Sequence, residues 1–201
     1  MKRVEFFFDL TSPYSYLAAT QIDELAQVGD AEVVWRPFLL GGVIKAVAGG
    51  QRQSESPAKL RYMLADLQRW AGLYSVELKF SRFFPANTVK ALRLVLVAEH
   101  HQAGLGRQLA KAAFQAMWVQ ERDLAAEETL RALATEVGLD ADAAMKAIEE
   151  PAIKDELRQN TEEAVARGAF GAPSMFIGEQ LFWGNDRLEL MLKTLLEQPA
   201  A

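Results

Sequence analysis

The chain has 201 residues, half of them apolar, enough for a sizeable core without disulfide or metal staples. It contains no cysteine, which excludes a thiol nucleophile, a structural disulfide and a thiolate metal site, so any sulfur chemistry must use borrowed sulfur. The net charge of −5 is spread as mixed-sign surface such as Glu162, Glu163 and Arg167, without the basic stripe that a phosphate backbone requires, which argues against a nucleic-acid partner.

Residues 4–8 form an aromatic-rich run that Asp9 ends far short of a signal core or a membrane span. The run is predicted as a buried strand, and the protein as cytoplasmic with no membrane partner. Leu10-Thr11-Ser12-Pro13 then opens a helix, with Ser12 as N-cap and Pro13 at its first position. Leu17, Ala18, Ile22 and Leu25 recur at helical spacing until Gly29-Asp30, and 31–36 alternates like a second strand. From 38 to 158 the pattern is helical throughout: Leu60, Leu64, Leu67 and Ala71; Leu92, Val95 and Leu96; then 105–120, 127–137 and 141–149, the last capped by Asp140. Trp70, Met117 and Trp118 read as core, and His100 and His101 as cations at a helix C-terminus. A helix over 155–167 ends at Gly168, and Phe170-Gly171-Ala172-Pro173 opens a strand at 174–177. Gly178-Glu179 signals a hairpin to 180–183, and Asp186 is read as the cap of a last helix with Leu188, Met191, Leu192 and Leu195 on one face. The order β-α-β, helices, α-β-β-α resembles, by analogy, that of thioredoxin-like proteins, which implies an α/β thioredoxin-like domain, 1–37 and 159–201, carrying an inserted all-helical domain, 38–158.

The Ser12-Pro13-Tyr14-Ser15 corner is the first chemical candidate. A helix N-terminus carries unpaired N–H groups and about half a positive charge, so it favours an anion such as a thiolate. A serine there donates a hydrogen bond to that thiolate and cannot form a disulfide, which keeps activation and removes redox exchange. The plain alternative is that Ser12 is an N-cap and nothing more. Pro173 likewise reads either as a trans proline opening an edge strand or as a cis proline that turns the Ala172 backbone toward a peptide-like ligand.

The string from Phe8 to Ala18, FDLTSPYSYLA, resembles the opening of kappa-class glutathione transferases and of 2-hydroxychromene-2-carboxylate isomerases. Phe38-Leu39-Leu40-Gly41-Gly42 with Lys45, Asp66-Leu67-Gln68-Arg69-Trp70, Phe84-Pro85-Ala86-Asn87-Thr88 and Trp183-Gly184-Asn185-Asp186-Arg187-Leu188 extend the resemblance over essentially the whole chain, and the last string favours the isomerase branch. The resemblance implies glutathione as cofactor, its thiolate activated by Ser12 and its backbone against Ala172 and Pro173. It implies a glutathione carboxylate on Lys45, in the loop after Gly41-Gly42, and the glutamyl end at Asn185 and Asp186, where a plain Asx turn competes. Arg82, Asn87 and Thr88 are candidates for the polar wall of a pocket for a small aromatic carboxylic acid. Ala48-Gly49-Gly50-Gln51 stands where the family often has an asparagine. The activity implied is interconversion of 2-hydroxychromene-2-carboxylate and trans-o-hydroxybenzylidenepyruvate, as in degradation of naphthalene and related aromatics. A transferase that retains the adduct, and a redox-inactive module that docks peptides along the Pro173 strand, are the alternatives. A homodimer is implied by the resemblance alone, and no metal site is read.

Overall fold

The structure, a computed structural model, describes residues 2–47 and 56–198, so the stretch at 48–51 lies outside the described residues. The aromatic run forms β1 (Lys2–Phe8), Ser12 and Pro13 open α1 (Pro13–Val28), and β2 (Ala31–Pro37) returns parallel to β1. Near the C-terminal end, β3 (Ser174–Ile177) pairs antiparallel with β1 and folds back as β4 (Gln180–Trp183), giving a sheet of order β2-β1-β3-β4. Between β2 and β3 lie α2 (Leu40–Val47), α3 (Pro57–Leu73), α4 (Val89–His101), α5 (Leu105–Trp118), α6 (Glu127–Glu136), α7 (Ala141–Ala147) and α8 (Pro151–Ala166), and α9 (Leu188–Glu197) closes the chain. This is the expected α/β arrangement, a four-stranded sheet with a helical insertion between β2 and β3. Among the described residues no helix is long and apolar enough to cross a membrane.

β1 lies between β2 and β3, and its alternation feeds both faces of the sheet. Val4, Phe6 and Phe8 enter a cluster that runs without interruption through Leu17, Phe114, Trp118 and Leu130. Phe7 points the other way, edge-on to Phe38 and Phe176, in a smaller cluster with Val43 and Ala164. α8 covers that second face through a half-buried charge network. Arg36 of β2 donates to Glu5 Oε1 at 3.0 Å, to Asn160 Oδ1 at 2.6 Å and to both Glu163 oxygens, and Arg167 donates to Glu5 Oε2 at 2.8 Å. The Arg36 hydrogen bond, followed by the charges of Arg36 and Arg167, holds the Glu163 carboxyl below its ordinary range.

Three local readings change. α8 begins at Pro151, in its first turn, and runs continuously through position 158. Lys45 sits on α2 rather than in a loop; the two glycines hide the helix, and Gly42 is needed there because a Cβ would come within 3.0 Å of Thr161 on α8. On α3 only Leu67 and Ala71 of the expected stripe are buried, whereas Leu60 and Leu64 are each 42% exposed.

Arg36→Leu leaves Glu5 and Glu163 with Arg167 as their remaining cation and takes the Arg36 donor from Asn160, and is expected to lower stability by about 2 kcal/mol in chemical denaturation. An unchanged midpoint would show that the network does not fasten α8.

Candidate functional site

Ser12 caps α1 as expected: its backbone is extended, and its Oγ accepts the Ser15 N–H at 3.1 Å. The same oxygen donates to the Ala172 carbonyl at 3.1 Å, so the hydroxyl spans from the helix cap to the 170–173 loop. The Ala172–Pro173 bond is cis, as is Phe84–Pro85, which the sequence reading did not include. Pro173 O accepts the Gly184 N–H, and the Trp183 indole lies over Gly171 so closely that a Cβ there would meet its Nε1 at 2.4 Å. Glycine is therefore required beside the loop, and Trp183 buttresses it. The corner is tied to the helical layer by Trp118, whose Nε1 donates to Leu10 O at 3.0 Å, and by Tyr16, whose hydroxyl donates to Glu77 O at 2.6 Å.

On the Thr11 side the corner opens into a cavity of about 560 Å³, lined by Asp9, Thr11, Leu40, Lys45, Asn87 and Thr88 among others. Lys45 is thus brought together with two of the three substrate candidates. Arg82 is not among them: it lies outside the cavity with its guanidinium 4.9 Å from the Phe83 ring centroid. Thr88 is buried and its hydroxyl is committed to Asp9 Oδ1 at 2.7 Å, while Asn87 Oδ1 accepts the Val89 N–H at 3.2 Å. A larger groove, about 730 Å³ along the outer edge of β2, holds none of the candidate residues.

On the Tyr14 side the phenol donates to Asp66 Oδ2 at 3.1 Å. Burial, then the Asp66 carboxylate, with a smaller contribution from Asp186, pushes Tyr14 far above its ordinary value, so it stays a neutral donor. Asn185 and Asp186 lie in a short 3₁₀ turn before α9, lining a separate cavity of about 230 Å³ with Trp70 and Tyr74. Asp186 does not cap α9, which has no side-chain cap. Asn185 is buried with its amide 3.4 Å from the Tyr74 hydroxyl, which fixes the turn, and Asp186 meets Arg187 Nη1 at 2.5 Å instead. The arrangement therefore has a hydroxyl at the corner, a cation in the Thr11-side cavity and carboxylates near Tyr14. Asp9, Asp66 and Tyr14 were not singled out from sequence, although all three stand inside the strings that carry the family resemblance.

A family model for the DSBA-like thioredoxin domain matches residues 3–196. A 2-hydroxychromene-2-carboxylate isomerase from Sphingobium xenophagum is 35% identical over 198 residues, covering 98% of this chain and 99% of its own. Glutathione S-transferase kappa 1 from Rattus norvegicus is 25% identical, with 97% and 91% covered. A solved structure of a 2-hydroxychromene-2-carboxylate isomerase superposes with a TM-score of 0.87 at 28% identity, covering 96% of this chain and 94% of that one.

Asp66→Asn removes the charge that raises Tyr14 and is expected to move one phenol titration downward, with Tyr14→Phe identifying which. A spectrophotometric titration identical to wild type would separate Tyr14 from Asp66.

Proposed function

The chain belongs to the DSBA-like thioredoxin domain family and within it to the 2-hydroxychromene-2-carboxylate isomerases, and on that premise we propose that it is a glutathione-dependent isomerase of 2-hydroxychromene-2-carboxylate and trans-o-hydroxybenzylidenepyruvate. The observation that carries this reading is the Ser12 hydroxyl at the start of α1, bonded to the Ala172 carbonyl beside cis Pro173, in a chain with no cysteine.

The donor set fits a zwitterionic tripeptide. Lys45 supplies a cation for a carboxylate, Asp66 and Asp186 supply carboxylates for an ammonium, and Ala172 offers its backbone to a peptide. When bound, glutathione supplies a thiolate whose transient addition to the conjugated carbon frees rotation about a double bond. Ser12 has one proton to donate, at rest on the Ala172 carbonyl. Turning that proton toward a thiolate replaces a neutral hydrogen bond by a charge-assisted one and frees the carbonyl for a peptide N–H. With the field of the α1 N-terminus, the gain is roughly 2 kcal/mol, equivalent to about 1.5 units of thiol pKa. The 560 Å³ cavity is of a size for a small aromatic acid, with Asn87 to orient its oxygens. The 25% identical kappa-class relative supports a second reading, a transferase that retains the adduct, which net consumption of glutathione distinguishes.

Ser12→Ala is expected to lose at least tenfold in activity while losing about 2 kcal/mol of stability, the worth of an N-cap together with the hydrogen bond to Ala172 O. Ser15→Ala should be milder, because its Oγ is buried and has no hydrogen-bond partner among the described residues. Thiol-free protein should be inactive until catalytic glutathione is added, and S-methylglutathione should inhibit. Full turnover by dialysed protein carrying no glutathione would overturn the reading.

A further inference from the structure

Asp9 is 3% exposed, yet its carboxyl is the junction of three chain segments. Oδ1 accepts the Thr11 N–H at 3.0 Å and the Thr88 hydroxyl at 2.7 Å, and Oδ2 accepts the Leu40 N–H at 2.8 Å. Each partner adjoins a residue of the proposed site: Thr11 precedes Ser12, Leu40 opens the helix carrying Lys45, and Thr88 follows Asn87. Only a carboxylate offers two acceptor oxygens to three donors arriving from separate elements; an amide offers one. Thr88 is the N-cap residue of α4 but makes no side-chain cap bond to that helix, its hydroxyl being spent on Asp9 instead. A local rule is broken at this point, as it is at functional sites elsewhere.

We propose that Asp9 is a positioning residue, a buried carboxyl group that holds the Lys45 helix and the Asn87 wall in register with Ser12. The assignment rests on the isomerase reading for its kinetic consequences, but not for its structural ones. Burial raises the Asp9 carboxyl above its ordinary value of 3.8, and the three hydrogen bonds oppose that rise. Among the described residues, Lys45 from α2 is the other charged side chain lining the cavity. From α4, Lys90 and Arg93 turn to Glu149, and α8 presents Thr161, which accepts the Leu39 N–H. A folded-state value above the unfolded one means that stability is lost as pH rises from about 3.8 through the folded value.

The test is Asp9→Asn, with Thr88→Val as the variant that removes one donor and leaves the carboxylate. In Asp9→Asn, stability relative to wild type should move in favour of the variant as pH rises through that window. Amide exchange at Leu40 should quicken at least tenfold while that at Phe6 does not change, and KM for both glutathione and the aromatic acid should rise at least fivefold. Thr88→Val should raise KM for the acid more than for glutathione. Unchanged Leu40 exchange with both KM values within twofold of wild type overturns the proposal, as does a pH-independent stability difference. Wild-type protein without glutathione-dependent turnover rejects the isomerase reading alone, and Asp9 is then judged on exchange and stability.

Discussion

The hydrogen bond from Ser12 Oγ to Ala172 O joins residues 160 positions apart, and the site exists only because β1 accepts β3 as its second neighbour after the helical layer has been traversed. β1 must therefore be apolar on both faces, which its Phe6-Phe7-Phe8 run provides. Once β3 is seated, Pro173 and the 170–173 loop lie against the start of α1. The Ser12 hydroxyl thus takes its long-range partner from sheet pairing rather than from its own neighbours in sequence.

The polar groups are distributed according to what each face can solvate. The Arg36, Glu5, Glu163 and Arg167 network is only partly buried, with Glu163 its most exposed member, so its charges keep some contact with water while orienting α8. Arg167 also lies over the Phe176 ring, 4.0 Å from its centroid, so the network and the smaller apolar cluster meet directly. Asp9 has no such access to water and relies on donated hydrogen bonds alone, a less forgiving arrangement that suits fixed geometry more than stability.

The strands, α1 and the β3–β4 hairpin were legible because alternation, the Ser-Pro cap and the glycine turns are local signals. α2 was not, since Gly41-Gly42 reads as a loop until Thr161 is known to press against position 42. Leu60 and Leu64 have helical spacing but stay exposed among the described residues, and periodicity alone cannot say which apolar stripe is covered. The Asp186 cap failed because Tyr74, distant in sequence, pins Asn185 and tightens the turn into 3₁₀ form. Asp9 looked like the terminator of an apolar run; two of its three partners lie 31 and 79 residues away. Lys45, Ala172, Asn185 and Asp186 came from the resemblance, since isolated polar residues carry no signature of convergence.

The apolar cluster that begins in β1 and α1 passes through α4, α5, α6 and α7 without a seam, and α8 runs unbroken past the expected domain boundary. The helical layer is thus not an exchangeable cassette: transplanting it whole between relatives would cut through side-chain contacts at both junctions. Crossover points that spare the interior lie within the layer, at surface turns such as Gly104 and Gly138, where an added methyl would meet open space although the left-handed backbone still favours glycine. Sequence divergence in this architecture is then expected to accumulate by coordinated repacking across the sheet and its helices, rather than by swapping one part against a constant other.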